Sequence, residues 1–190
     1  SRYNIGAAAG TNTAFVMFGG NSGSTATEEW NGSAWSNGGA MNTGRSEGMT
    51  AGTQTASLMS GGIVPGSDAM TNNSEEYNGS SWTNVTDAPT ATRDIDAFGT
   101  QTAAVFLGGN PEPDHSYEYD GTNWTASNDM GTGRYTSGTA GILTAGLAFG
   151  GYSSTANTAN TESYNGTSWT EVGNLTVAKR DGASGGIQTA

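Results

Sequence analysis

The sequence predicts an all-β chain built from a repeated four-stranded antiparallel unit, on three observations. The first is a tryptophan beat: Trp35, Trp82, Trp124 and Trp169 return at intervals of 42 to 47 residues. The second is a set of diglycines on the same beat, Gly19-Gly20, Gly61-Gly62, Gly108-Gly109 and Gly150-Gly151, each closing a short apolar run. The third is composition: 31 Gly and only 33% hydrophobic residues, yet five Trp, seven Tyr and five Phe at regular places. A disordered polar tract has few aromatics and no period, whereas short strands with glycine-rich turns account for both. A period of this size with strand-like patterning is the signature of β-propeller blades.

One repeat shows how each strand is read. RDIDAFG, from Arg93, is a first strand, and Thr100-Gln101-Thr102 is its turn. AAVFLGG is a second strand, apolar almost throughout, as expected where both faces of a sheet are covered. SYEYDG is a third strand, and NWTAS a fourth. Asp120-Gly121 between them predicts a two-residue hairpin with φ > 0 at both positions. The other repeats place Asn31, Asn78 and Asn165 at the same corner. The first strands (NIGAAAG, YTSGTAG) are rich in small residues, which suit the crowded position nearest a propeller axis.

The predicted blades cover residues 1–43, 44–91, 92–132 and 133–178, with 179–190 as the first strand of a fifth. Five first strands against four of every other kind leave the last one without a vacancy to fill. The expectation is a segment of a larger ring or array, with 179–190 continuing into further residues or pairing with a neighbouring copy.

The diglycine after an apolar strand, the aromatic before a tight corner, the Trp beyond it and an Arg about ten residues later resemble the kelch motif. The likeness runs over the whole chain and implies a propeller of kelch type. Tyr77 and Trp82 stand closer together than in typical kelch repeats, so a tight outer hairpin is expected. The wording YNGTSWT, followed by Arg, GTQTA and FGG, is also similar to arrays in predicted marine phage virion and tail proteins. That resemblance implies an extracellular or virion-associated protein, in the manner of a tail fibre or adhesin.

Composition restricts function. The formal charge is −11 and the pI about 4.1, so phosphate backbones and anionic lipid are repelled. Neither nucleic acid nor membrane is expected as a partner. With no Cys there is no disulfide framework or thiolate site. Some kelch-type propellers are copper oxidases, but that centre needs paired His and a Cys–Tyr crosslink, and this chain has one His and no Cys. No cofactor is expected.

The residues common to all repeats read as structural. Arg2, Arg45, Arg93, Arg134 and Arg180 are expected to share one repeat position, each bonded to acidic or carbonyl oxygens at the start of a first strand. A ligand-reading arginine ring is the rival. The fourth-strand tryptophans are expected to pack against the next blade rather than stack on sugars, with Trp30 standing in for the Tyr of its siblings. Asn-Gly-Ser/Thr triplets match a glycosylation acceptor, but Asp120 makes the same corner, so the turn reading covers all four copies. Asp94-Ile95-Asp96 lacks the spaced oxygens of a calcium loop.

What varies is the distance from the diglycine to the third-strand aromatic: 10, 15, 10 and 13 residues. Loops of varying length on a rigid scaffold are where binding residues collect. The candidates are Asp68, Asp114, His115 and Tyr152, with solvated linkers as the bland alternative. The expected role is non-catalytic: binding a glycan or partner protein through these loops. A polysaccharide hydrolase using loop carboxylates and an intracellular protein-binding adaptor are the alternatives.

Overall fold

The computed structural model describes residues 7–20, 23–111, 113–182 and 185. They form an all-β chain of four four-stranded antiparallel sheets and one small hairpin, with no α-helix among the described residues. Sheet 1 holds β1 (Ala7–Gly10), β2 (Phe15–Phe18), β3 (Thr27–Trp30) and β4 (Trp35–Asn37). Sheet 2 holds β5 (Met49–Thr53), β6 (Ala56–Ser60), β9 (Ser74–Tyr77) and β10 (Trp82–Asn84). The hairpin β7 (Ile63–Val64) and β8 (Ala69–Met70) interrupts it between the second and third strands. Sheet 3 comprises β11 (Asp96–Thr100), β12 (Ala103–Leu107), β13 (Ser116–Tyr119) and β14 (Trp124–Ala126). Sheet 4 comprises β15 (Gly138–Ile142), β16 (Ala145–Phe149), β17 (Thr161–Tyr164) and β18 (Trp169–Glu171). Each sheet is a meander in chain order, the topology that short connections favour.

The chain divides into two compact units, residues 1–93 with sheets 1 and 2, and residues 94–190 with sheets 3 and 4. The core of the first lies between its sheets: Ala7, Ala9, Val16, Phe18 and Met41 meet Met59, Tyr77 and Trp82. The second repeats the arrangement with Phe98, Val105, Leu107 and Met130 against Ala148 and Tyr164. Small first-strand residues let these layers approach.

Each diglycine does two things. Its positive φ turns the chain out of the second strand, with φ of 69° and 117° at Gly19 and Gly20. Its second N–H then bonds the chain that opens the following first strand: Gly20 to the Arg45 carbonyl, Gly62 to Thr92, Gly109 to Arg134 and Gly151 to Lys179. The last of these bonds, with Asp181 N–H on the Thr136 carbonyl, sets residues 179–182 along sheet 4. No strand is formed there among the described residues, and most of 183–190 lies outside them.

The outer corner differs from the predicted two-residue turn. Between Tyr119 and Trp124 lie four loop residues, and of Asp120 and Gly121 only Gly121 has positive φ. The Asp120 carboxylate accepts from the Thr122 and Asn123 N–H groups at 2.8 and 2.7 Å. Those bonds hold its pKa below the ordinary value. Asn31, Asn78 and Asn165 accept the same pair of backbone bonds. A side-chain carbonyl or carboxylate at this place closes the loop, so Asn and Asp serve alike.

Candidate functional site

The repeated polar groups are used within each unit. In the first, the Tyr77 hydroxyl donates to Glu29 of the preceding sheet at 2.6 Å, and burial with that bond pushes its pKa up to about 12. The Trp82 indole N–H reaches Thr27 Oγ1 at 2.9 Å, and its ring stands edge-on to Phe18 at 4.6 Å. In the second unit Tyr164 donates to Glu118 and Trp169 to Ser116 Oγ at 3.0 Å. Trp82 and Trp169 therefore pack backwards, on the preceding sheet, opposite to the expected direction. Residues one and three of the third strand face the following sheet and residues two and four the preceding one, because side chains alternate along a strand.

The arginines occupy more than one position. Arg45 and Arg134 are fully buried and paired with Glu75 and Glu162. Burial lowers both arginine pKa values while the glutamates oppose the change. Arg134 also donates to the Gly150 and Asn160 carbonyls. Arg93 and Arg180 sit one residue later, since the diglycine bonds pick out Thr92 and Lys179 as the counterparts of Arg45 and Arg134. Their side chains are 40% and 52% exposed, with Glu47 at 4.0 Å from Arg93 and Asp181 at 3.5 Å from Arg180. Arg2 lies outside the described residues.

The four sequence candidates fall on the connections from second to third strands. Asp68 is exposed in the β7–β8 hairpin at φ 50°. Asp114 is exposed, its carbonyl accepting from Met130 N–H at 2.8 Å. His115 is half-buried beside it, its ring edge-on to Tyr117 at 6.3 Å. Tyr152 is half-buried and pairs through its backbone with Tyr135 and Asn157. Of the four, Asp114 and His115 are chain neighbours. Tyr152 gathers two residues that were not grouped with it: the Tyr135 ring at 5.4 Å and the Arg180 guanidinium 5.2 Å over its face. The second unit thus brings two aromatic rings and a cation together beside a variable loop.

Two further features escaped sequence reading. Asp96 opens β11 fully buried, and its Oδ2 accepts both the N–H and the hydroxyl of Ser137, each at 2.7 Å. Burial pushes its pKa up to about 7, with Asp94 adding to the rise and Ser137 and Arg134 opposing it. Both of the Ser137 bonds tie β11 to the start of sheet 4. No cluster of three or more metal-ligating side chains occurs among the described residues. On sheet 1, Phe15, Trp30 and Trp35 line an open depression of about 540 Å³ with Gly10, Thr11 and Asn12. Trp35 is 50% exposed there.

Comparison with known proteins places the fold. Neither a family model nor a curated protein matches this sequence. Among 194 similar solved chains is one described as "Structure of YjhT". It superposes with a TM-score of 0.78 over 95% of this chain and 68% of its own, at 14% identity. At that identity the likeness is one of fold.

Proposed function

We propose that the chain is a run of kelch-type β-propeller blades acting as a non-catalytic binding or structural module, in which the loops between second and third strands hold a glycan or protein ligand. The blades are residues 1–43, 44–91, 92–132 and 133–178, with 179–190 opening a fifth. The observation that carries the binding role is the Tyr135–Tyr152–Arg180 cluster. The repeated Tyr, Trp, Arg and Glu contacts described above serve sheet packing, whereas this cluster is half-exposed and sits where loop length varies. Tyrosine faces stack on sugar rings or apolar side chains, and a guanidinium selects carboxylates. An acidic surface beside the exposed Lys179 and Arg180 fits a ligand with a localised negative group rather than a polyanion. Placement in an extracellular or virion assembly rests on the resemblance of the repeat wording to phage arrays.

The test is a glycan array run beside a panel of glycosidase substrates, with the parent chain and the Tyr152→Ala and Arg180→Ala variants. Binding without turnover, lost in both variants at unchanged melting temperature, supports the reading. Turnover abolished by Asp114→Asn or another loop carboxylate change overturns it in favour of a hydrolase.

A further inference from the structure

Four Asn-Gly steps occur in the sequence: Asn31-Gly32, Asn37-Gly38, Asn78-Gly79 and Asn165-Gly166. Such a step carries a chemistry of its own, because no Cβ on the glycine hinders its nitrogen from attacking the carboxamide of the residue before it. Three of the four steps lie on the outer corners between third and fourth strands, and Asn37-Gly38 lies at the end of β4.

At the corners the attacked group is held and polarised. Asn31 Oδ1 accepts the Ser33 and Ala34 N–H groups at 2.9 Å each, and the Ser33 hydroxyl at 2.9 Å. Asn78 Oδ1 accepts the Ser80 and Ser81 N–H groups at 3.0 and 2.9 Å, and Asn165 Oδ1 those of Thr167 and Ser168 at 2.9 Å each. Two N–H groups on a carbonyl oxygen stabilise the negative charge that develops there when a nucleophile adds to its carbon. All three asparagines are exposed, and no hydrogen bond engages the N–H of Gly32, Gly79 or Gly166 among the described residues. Asn37 is exposed too but differs on both counts. The Gly38 N–H is held on the Thr27 carbonyl at 2.9 Å, and no N–H reaches the Asn37 carboxamide among the described residues.

Sheet 3 already carries what the reaction would leave. Its corner is Asp120-Gly121, and the carboxylate accepts the Thr122 and Asn123 N–H groups at 2.8 and 2.7 Å. Gly121 has φ 94°, against 93°, 86° and 90° at Gly32, Gly79 and Gly166. Acid and amide therefore build one corner, and the acid builds it with charge-assisted bonds.

We propose that Asn31, Asn78 and Asn165 are modification sites at which the folded chain converts its own asparagines to aspartates, with water as the co-reactant. The glycine nitrogen, losing its proton to solvent, adds to Cγ. The Cγ–Nδ2 bond breaks, and Nδ2 leaves as ammonia with a proton from solvent. Water then opens the cyclic imide, its hydroxyl going to carbon and its proton to nitrogen. Opening at Cγ, whose oxygen the two N–H groups hold, restores the ordinary backbone and leaves Asp. Opening at the main-chain carbonyl leaves isoaspartate and lengthens the corner by one backbone carbon. The held Oδ1 thus selects Asp. Nothing is oxidised or reduced, and each event adds one negative charge to a chain already at −11. The modification is separate from the binding role and stands whether or not the variable loops hold a ligand.

The test incubates the folded 190-residue chain in mildly alkaline buffer, with circular dichroism as the check on folding. A parallel sample is held unfolded in guanidinium chloride. Peptide mass spectrometry follows each site, and an isoaspartate-specific methyltransferase separates the two products. In the folded chain the three corners should convert with Asp as the main product. Asn37 should react at least about tenfold more slowly, the scale of the one sheet bond that must open first. In the unfolded chain that difference should vanish and isoaspartate should become the main product, as in unstructured peptides. Corners that keep their amides in the folded chain, Asn37 converting as fast as they do, or isoaspartate dominating at folded corners overturns the proposal. Asn31→Asp, Asn78→Asp and Asn165→Asp combined supply the converted chain directly. Its circular dichroism should match the parent's, and a lost β signal would also overturn the proposal.

Discussion

Arg45 and Glu75 meet at 2.9 Å with both side chains withdrawn from water, at the joint where the chain passes from sheet 1 into sheet 2. The carboxylate also accepts the Asn42 and Thr43 N–H groups at 2.7 and 3.2 Å, so one side chain fastens both the strand and the segment leading to it. Glu162 does the same for Arg134, Gly131 and Thr132. In sheet 3 both partners change at once: Thr92 stands where the Arg would be and Tyr117 where the Glu would be. Neither position then carries a charge.

The pair predicts a non-additive cycle. Arg45→Thr alone strands a buried carboxylate and should cost about 3–5 kcal/mol. Adding Glu75→Tyr, the combination sheet 3 uses, should recover a large part of that loss, the remainder reflecting the Asn42 and Thr43 bonds. Urea midpoints of the parent, both single variants and the double variant measure it. Strictly additive losses would show that the two positions are independent. Arg93→Ala removes a half-buried side chain whose Glu47 partner is 4.0 Å away, and should cost less than Arg45→Thr in the same assay.

Asp96 predicts a pH effect of definite sign. Its carboxyl holds the proton up to about pH 7 in the folded chain, against an ordinary aspartate value of 3.8. The folded state therefore binds more protons than the unfolded state between these limits, and stability falls as pH rises from about 4 to about 7. Asp96→Asn keeps an acceptor for both Ser137 bonds and carries no charge. The stability difference between parent and variant should shift in the variant's favour across that window and be level above it. A pH-independent difference would show that Asp96 titrates alike in both states.

The hydroxyls of Tyr77 and Tyr164 each join two sheets by one bond to a carboxylate. Tyr77→Phe should cost about 1–2 kcal/mol, and Tyr164→Phe a similar amount, with ring packing unchanged. Melting temperatures of the two variants provide the comparison. A loss confined to one of them would mean the repeated contact is not energetically repeated.

Gly99 turns the first strand toward the second at φ 108°, and a Cβ there would come 2.3 Å from the Ala103 carbonyl oxygen. Gly99→Ala should destabilise by about 2 kcal/mol or more, since neither the backbone nor the facing carbonyl can move without breaking the hairpin. A methyl group on Gly173 would meet nothing within 4 Å, so Gly173→Ala should stay within about 0.5 kcal/mol. Denaturant midpoints of the pair separate conformational need from simple glycine content.

The sequence by itself determined the all-β class, the strands of each sheet and the positions of the diglycines, because these depend on local pattern: alternation, apolar runs and residues that accept positive φ. It also contained the arginine registers without disclosing their meaning. Trp35 and Trp124 precede Arg45 and Arg134 by 10 residues, while Trp82 and Trp169 precede Arg93 and Arg180 by 11. One residue is enough to turn a side chain from a buried glutamate toward water, and the glutamate that decides it lies on another strand some 30 residues away in sequence. Likewise the Asx corner was legible but its loop type was not, since the deciding bonds come from a side chain rather than from φ. Tertiary structure alone decided that Trp82 and Trp169 dock backwards, that Asp96 is sealed under Ser137, and that Tyr152 is joined by Tyr135 and Arg180. In each case the energy lies in contacts between strands far apart in the chain, where alternation fixes which face a residue occupies but not which neighbour covers that face.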